Sequence, residues 1–454
     1  MNQASQSPLP ITDRLAHFAA SLDYEAIPPI VRHEARRSLL NYFGVALAAC
    51  NDPTIQIATR TLQRFSAGTD AGLIGRSTKT DMLNAAALNA MAANVYDFDD
   101  THLPTIIHPT SPIAPALFAF AQGNTISGRQ LLTAFVAGVE LTCRIGCAIS
   151  PRHYARGWHI TSTCGVLGAA AGVSNLLGLD GRHTGWALSH AAVQAGGLVE
   201  TLGTMSKSVS VGNAARNGLL SALLAEEGFD GPAQPLEGER GFLRVMDDAP
   251  DLQGLVRDLG SHWETLNNTY KPYPCGVVLN PVIEACLVLQ GEARLSDSGW
   301  KRITRITLTG HPLLRQRADR PGVRTGRESQ VSAQHAVAVA LVRGRAGLPE
   351  FSDEAVQDPV LQALGQRVSF KDDPSMAVHG VLLDLELDDG TIMTHCVDVA
   401  RGALARPLTD ADIEAKVREL CKQGGSGIDP EPLIDAVWHL DDLADASVPM
   451  RLAC

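Results

Sequence analysis

The sequence predicts a mainly α fold: a large all-helical domain built from the N- and C-terminal parts of the chain, plus a smaller α+β domain. Three observations carry this reading. The 454 residues exceed the roughly 100–200 of one ordinary domain. The apolar share of 45% comes mostly from Ala, Gly, Leu and Val, with aromatics at only 5%, and small side chains let helix axes approach closely. Strand-type alternation is confined to one block, so residues 1–265 with 401–454 are expected to form the helical domain and 266–400 the α+β domain.

Taken in order, Pro28-Pro29 suit the start of a helix that runs through VRHEARRSLLNYFGVALAAC with apolar residues recurring at three and four. Asp81 is placed to cap DMLNAAALNAMAAN, which ends in a burst of carboxylates. TAFVAGVELTCRIGCAI and STCGVLGAAAGVSNLLGLD are apolar nearly all round, the mark of helices buried inside a bundle. WALSHAAVQAGGLVE and NAARNGLLSALLAEEGF continue the series, and no fixed-period repeat suggests a solenoid. After NNTYKPYPC the character changes. In WKRITRITLTGH, Ile306 and Leu308 alternate with Arg305 and Thr307, as in a strand. VLLDLELDDGTIMTHCVDV reads as a hairpin: Leu383, Leu385 and Leu387 face one way, Asp384 and Glu386 the other, and Asp389-Gly390 makes the turn. SAQHAVAVALVRG is a short helix between them, and helices resume from about Thr409. A cleft is expected at the junction near residues 262–275, since ligand sites favour domain boundaries.

With 38 Lys and Arg against 49 Asp and Glu, the formal charge is −11. Phosphate binding needs clustered cations, so nucleic acid and anionic membrane are excluded as partners. Small acids stay open if the few cations converge on one site. Nine cysteines without a CxxC form no disulfide framework, and Cys143 and Cys147, one helical turn apart, have no His at finger-like spacing. Free thiols in a reducing compartment and no metal are the expectation. MNQASQSPLPITDRL lacks the basic start and apolar core of a signal peptide, and Leu131 to Ile149 is interrupted by Glu140 and Arg144. A cytoplasmic protein without a membrane span is expected.

Four segments carry chemistry. YDFDDTHLPTIIHPTS (96–111) gathers Asp97, Asp99, Asp100, His102 and His108, a proton-transfer site or a solvated helix terminus; its spacing matches neither a calcium loop nor HExxH. RHYARGWHITSTCGVLGAAAG delivers His159 just before a helix whose Thr161, Ser162 and Thr163 are placed to cap it and, with the free N–H groups, to bind a carboxylate; the alternative is a hydrogen-bonded core histidine. LGTMSKSVSVGNAARNG sets Lys207 immediately before a helix, where a surface lysine is the simpler reading. YKPYPCG fixes a turn around Tyr273 and presents Lys271, as a carboxylate clamp or as a hinge only.

Together and in this order, these segments resemble the MmgE/PrpD family, which includes 2-methylcitrate dehydratases, cis-aconitate decarboxylases and iminodisuccinate epimerase. The resemblance spans nearly the whole chain. It implies a two-domain subunit, usually a homodimer, that needs no metal or organic cofactor. Carried over on the matching motifs, it points to Asp97, Thr101, His108, His159, Lys207 and Lys271. A further family position is a Tyr in the lid helix, within a pattern like SFQYVA; here the stretch reads SAQHAVAVA, so His335 takes that place. An imidazole accepts or donates a proton near neutrality, where a phenol does not. The stretch after the carboxylates also differs from the AEWGHPSD type of the dehydratases.

The chemistry these residues suit is making or breaking a bond at a carbon next to a carboxylate of a small di- or tricarboxylic acid. Lys207, Lys271 and the helix start with Thr161 are expected to hold carboxylates, joined by Thr101 and Tyr273 in substrate binding. His159 or His108 is the expected general base, with Asp97 orienting an imidazole and His335 closing from the lid as the second acid/base. A lyase is the first reading; an epimerase and a non-catalytic acid-binding protein are the alternatives. RQRADRPGVRTGR, with five Arg between 315 and 327, is expected to be a mobile loop that steers anions or is simply solvated.

Overall fold

The computed structural model describes residues 10–292 and 295–454; residues 1–9, on which much of the leader-peptide expectation rests, lie outside them. The described chain is mainly helical and divides into two compact units. One holds the chain up to Val95, Asp99–Asn268 and Ile413–Cys454; the other holds Tyr96–Phe98 and Thr269–Asp412. The C-terminal limit of the second unit thus falls at Asp412, where the sequence suggested 400. Arg401 N donates to Glu284 Oε2 at 2.8 Å and Arg406 Nη1 meets Glu284 Oε1 at 2.8 Å, which ties residues 401–406 to that unit.

The first unit is organised around helix Ile160–Leu176, buried nearly all round. Helices Gly128–Ile149, Ser206–Glu226 and Thr110–Gln122 pack against it. Close approach is made possible by glycine: a Cβ on Gly168 would lie 1.7 Å from Thr142 Oγ1 and 2.6 Å from the Gly138 carbonyl. Helix Pro29–Ala48 adds Tyr42 and Phe43, whose rings meet Phe118. Asp81 caps helix Met82–Asn94 by accepting from Asn84 N at 2.9 Å, as its position suggested.

Helix Gly128–Ile149 opens with a capping box between Ser127 and Gln130. Among the described residues it is the one helix long and apolar enough to cross a membrane, yet 94% of its most apolar window is buried inside the unit. Its two charged residues have internal partners. Glu140 accepts from Glu264 N (3.0 Å), Thr265 N (2.9 Å) and Thr265 Oγ1 (2.8 Å). Arg144 donates to the carbonyls of Arg257 (2.8 Å) and His262 (2.6 Å). Helix Asp410–Gly424 brings Lys416 Nζ to Asn41 Oδ1 at 2.8 Å, so the later part of the chain closes the unit that the earlier part opens.

The second unit contains a four-stranded sheet in the order Val368–Asp372, Ile303–Gly310, Val381–Leu387, Ile392–Val397. Ile306 pairs with Leu385 and Leu308 with Leu383, and all four are fully buried. The hairpin turn follows its residues: Gly390 sits at φ 79°, and Asp389 Oδ1 accepts from Thr391 N at 2.9 Å. Helices Asn280–Gln290 and Ala333–Arg343 cover this core. The first strand in the sheet order, Val368–Asp372, is not among the strands expected: its alternation of Val368 and Phe370 with Ser369 and Lys371 is short, and both apolar side chains pack partly buried against the core. The arginine-rich segment is also not one loop: helices Pro312–Ala318 and Gly326–Ser329 take up much of it, and Arg315 pairs with Asp372 through Nε at 3.0 Å.

Candidate active site

In the first unit, the chain between residues 101 and 108 doubles back on itself. His102 N donates to the Ile107 carbonyl at 2.7 Å, with Ile106 at φ 59° in the turn. The return lands His108 beside Thr101, whose Oγ1 is 3.3 Å from His108 Nδ1. That same Nδ1 is 2.6 Å from the Asp100 carbonyl, an acceptor only, so Nδ1 carries the proton and Nε2 the lone pair of the neutral ring. His108 N donates to Thr161 Oγ1 at 3.1 Å, which ties the loop to the first turn of helix Ile160–Leu176.

His159 is the N-cap of that helix, with no capping bond from its own side chain. The expected hydroxyl caps are therefore corrected: Thr161, Ser162 and Thr163 lie inside the first turn and spend their hydroxyls elsewhere. Thr161 accepts from His108, Thr163 Oγ1 is 2.8 Å from His153 Nε2, and Ser162 Oγ donates to the His159 carbonyl at 2.9 Å. His159 Nδ1 faces Ser162 Oγ at 3.2 Å and Ser210 Oγ at 3.3 Å. Ser210 Oγ donates to the Lys207 carbonyl at 2.8 Å, so both hydroxyl protons are already placed on carbonyls. Each oxygen is left to accept, and His159 Nδ1 donates. As in His108, Nε2 then holds the lone pair.

Ser210 links His159 to the first turn of helix Ser206–Glu226. Lys207 lies within that turn and is only 7% exposed, so the surface-lysine reading does not hold. Gly197, which the sequence reading passed over, makes the arrangement possible. Its carbonyl accepts from His159 N at 3.0 Å, and a Cβ there would stand 2.1 Å from Ser162 Oγ. Its φ of 134° strains any other residue.

Behind His108 lie two adjacent buried carboxylates. Asp99 Oδ2 accepts from Ser111 Oγ (2.6 Å) and Asn94 Nδ2 (2.8 Å), while its Oδ1 is 3.4 Å from His108 Nδ1. Asp100 Oδ2 accepts from Thr110 Oγ1 (2.5 Å) and Asn268 Nδ2 (2.6 Å). Complete burial, opposed by these two bonds and reinforced by Asp99, pushes the Asp100 carboxyl up to about 7. Between its ordinary value of 3.8 and about 7 the folded chain holds a proton that the unfolded chain has released. This group's contribution to stability therefore falls as pH rises through that window. Asp100→Asn keeps an oxygen for both donors and removes the titration. Urea melts at pH near 5 and near 8 are expected to favour the wild type over the variant more strongly at the lower pH; an equal difference at both refutes the assignment.

Asp97, Lys271, Tyr273 and His335 belong to the second unit. Lys271 is 3% exposed, and its Nζ donates to the Asp97 carbonyl (2.7 Å) and Oδ2 (3.0 Å). Asp97 thus holds an ammonium group, and within the first unit the carboxylate that faces His108 is Asp99. The left-handed φ of 52° at Asp97 aims both its oxygens at Lys271, and Gln330 Nε2 fixes Tyr96 through its carbonyl at 2.6 Å. Burial, with Glu284 adding to it, pushes the Tyr273 phenol up to about 12. His335 Nε2 is 2.7 Å from the Glu350 carbonyl and its ring stands edge-on to Phe351. Burial lowers its pKa, so it is a neutral ring with its proton on Nε2. With Nε2 donating to the Glu350 carbonyl, the acid/base role expected of His335 narrows to Nδ1. His335 lines a cavity of about 320 Å³ within this unit, together with Arg324, Ser332, Gln334 and Leu361.

Comparison with known proteins adds an independent line. The MmgE/PrpD N-terminal domain matches residues 13–254, and the MmgE/PrpD C-terminal domain matches residues 273–442. The chain is 29% identical to the cis-aconitate decarboxylase-like protein oryM of Aspergillus oryzae, over 97% of each chain. It is 28% identical to a cis-aconitate decarboxylase of Aspergillus terreus, covering 97% of this chain and 95% of the relative. It is 26% identical to the cis-aconitate decarboxylase of Mus musculus, covering 97% and 93%.

Proposed function

The chain belongs to the MmgE/PrpD family, and from that premise we propose that it is a cofactor-independent lyase acting next to a carboxylate of a small di- or tricarboxylic acid, a decarboxylase first. One observation carries the reading. His159 is held with Nδ1 protonated against two hydroxyls, at the start of a buried helix, one serine away from the buried Lys207. Loss of carbon dioxide leaves an electron pair on the adjacent carbon, delocalised into a remaining carboxylate. Lys207 and the positive end of helix Ile160–Leu176 stabilise that charge. The imidazole, having taken up a proton from solvent at Nε2, then passes it to the carbon; His159 and His108 are the two candidates, each with its tautomer fixed by what Nδ1 touches. In dehydration the same imidazole would remove the proton next to the carboxylate.

The test is incubation in deuterated water with cis-aconitate and with saturated hydroxy- and amino-dicarboxylates. Carbon dioxide with one deuterium in the product is the expected outcome. Water loss with alkene formation means the dehydratase branch. Deuterium in recovered substrate with inverted configuration, and neither loss, replaces the lyase by an epimerase. Lys207→Ala is expected to fold normally and lose most turnover; full activity in that variant removes the site.

A further inference from the structure

A second cluster in the first unit takes no part in the proposed chemistry. His102 from the doubled-back loop, Cys147 from helix Gly128–Ile149 and Glu264 bring one ligand atom each within 4.8 Å of one another. His102 Nε2 is 3.0 Å from Glu264 Oε2. On its other side, His102 Nδ1 is 2.8 Å from Thr105 Oγ1, and Glu264 Oε2 also accepts from Asn267 Nδ2 at 3.0 Å. The ring and the carboxylate are therefore both held by outer partners, the arrangement that orients metal ligands. His262, with a side chain 56% exposed and Nε2 3.4 Å from Glu264 Oε1, marks the side open to solvent.

We propose that His102, Cys147 and Glu264 form a binding site for one zinc ion, with a fourth, solvent-side position next to His262. The donor set decides the metal: imidazole, thiolate and a single carboxylate suit zinc, and a mixed nitrogen–sulfur set does not suit magnesium or calcium. The spacing is close to what is needed. Bonds of about 2.0–2.3 Å in a tetrahedron put ligand atoms about 3.3–3.6 Å apart, so shifts of about an ångström close the site. On binding, the thiol proton passes to solvent, the ring proton rests on Nδ1 facing Thr105, and zinc takes the place between Nε2 and Oε2. A bound zinc ion's charge favours the thiolate form of Cys147.

Cobalt(II) reports the thiolate directly. Metal-depleted protein titrated with cobalt is expected to take up one equivalent with a sulfur-to-cobalt charge-transfer band, and zinc to displace it and raise the melting temperature. Cys147→Ser is expected to lose the band and weaken zinc binding by at least the ~10–100-fold that loss of an outer-shell partner costs. Cys143→Ser keeps both. Turnover in metal-free Cys147→Ser stays at the wild-type level, since the thiol touches none of the proposed catalytic groups. If Cys147→Ser fails to fold, Glu264→Gln is the second variant and is expected to weaken zinc binding to the same degree. No stoichiometric uptake, or an unchanged band in Cys147→Ser, overturns the site.

Discussion

His159→Gln is expected to lower kcat by about 10²–10⁴-fold, the range a positioned acid/base group contributes, while the fold stays intact. The argument rests on how much of the local structure serves this one ring. Gly197 gives up a Cβ so that Ser162 can stand beside it, and two serines send their protons to carbonyls so that both can accept from Nδ1. A core histidine needs one partner; this one has two aligned to fix a single tautomer. Glutamine keeps a polar group of similar reach but cannot relay a proton near neutrality. The backbone bond from residue 159 to the Gly197 carbonyl survives the change, so circular dichroism and melting temperature should match the wild type. Steady-state kinetics against the substrate found by the deuterium screen then read the effect. A kcat within threefold of wild type removes His159 from the chemistry and transfers the role to His108, whose Nδ1 is fixed by the Asp100 carbonyl. Ser210→Ala separates the two further. It removes one acceptor from the His159 ring and none from His108, so a modest fall in kcat with unchanged KM identifies His159 as the working ring.

What could be read from the sequence was local. The Asp81 cap, the Asp389-Gly390 turn and the Leu383, Leu385, Leu387 alternation each depend on residues within one turn or one strand, and each formed as its residues suggested. Long-range partners set the rest. Thr161, Ser162 and Thr163 have the composition of a helix cap, but His108, His153 and the His159 carbonyl claim their hydroxyls, and no local rule announces those partners. Asp97 and Asp99 are indistinguishable by spacing. A left-handed φ turns the first toward Lys271, and Ser111 with Asn94 holds the second beside His108. Lys207 reads as a surface residue because its burial is tertiary, and the small and polar residues beside it in the sequence do not announce it. His102, Cys147 and Glu264 are far apart in the chain, so no motif spacing unites them. Gly197 carried a signal that was available: two consecutive glycines after a helix mark a special backbone, and the ring they accommodate is the one the histidine reading had singled out.

Glu140→Ala is expected to destabilise the protein by about 3–5 kcal/mol, the cost of breaking a buried pair and leaving the other charge uncompensated. In the sequence, Glu140 and Arg144 interrupt an otherwise apolar helix. In the structure both are buried, with Arg144 Nε 3.5 Å from Glu140 Oε2. Glu140 is the sole carboxylate that satisfies the Glu264 and Thr265 amides among the bonds described for them, and Arg144 gathers carbonyls from residues 255–262. The pair therefore pins the irregular stretch that carries Glu264 and ends at Asn268, the partner of Asp100. Alanine removes three accepted hydrogen bonds and leaves two buried amides and a hydroxyl unpaired, each a cost of its own. Glu140→Gln keeps one oxygen for Thr265 but turns an amide NH₂ toward the Glu264 N–H, so its loss should be smaller than alanine's and still measurable. Combining Glu140→Leu with Arg144→Met is expected to recover part of the single-variant loss, because two neutral groups replace one stranded charge. Urea denaturation of the three variants decides the matter. A Glu140→Ala loss below about 1 kcal/mol, the size of a surface pair, means water already reaches the carboxylate and the pair does not hold the turn.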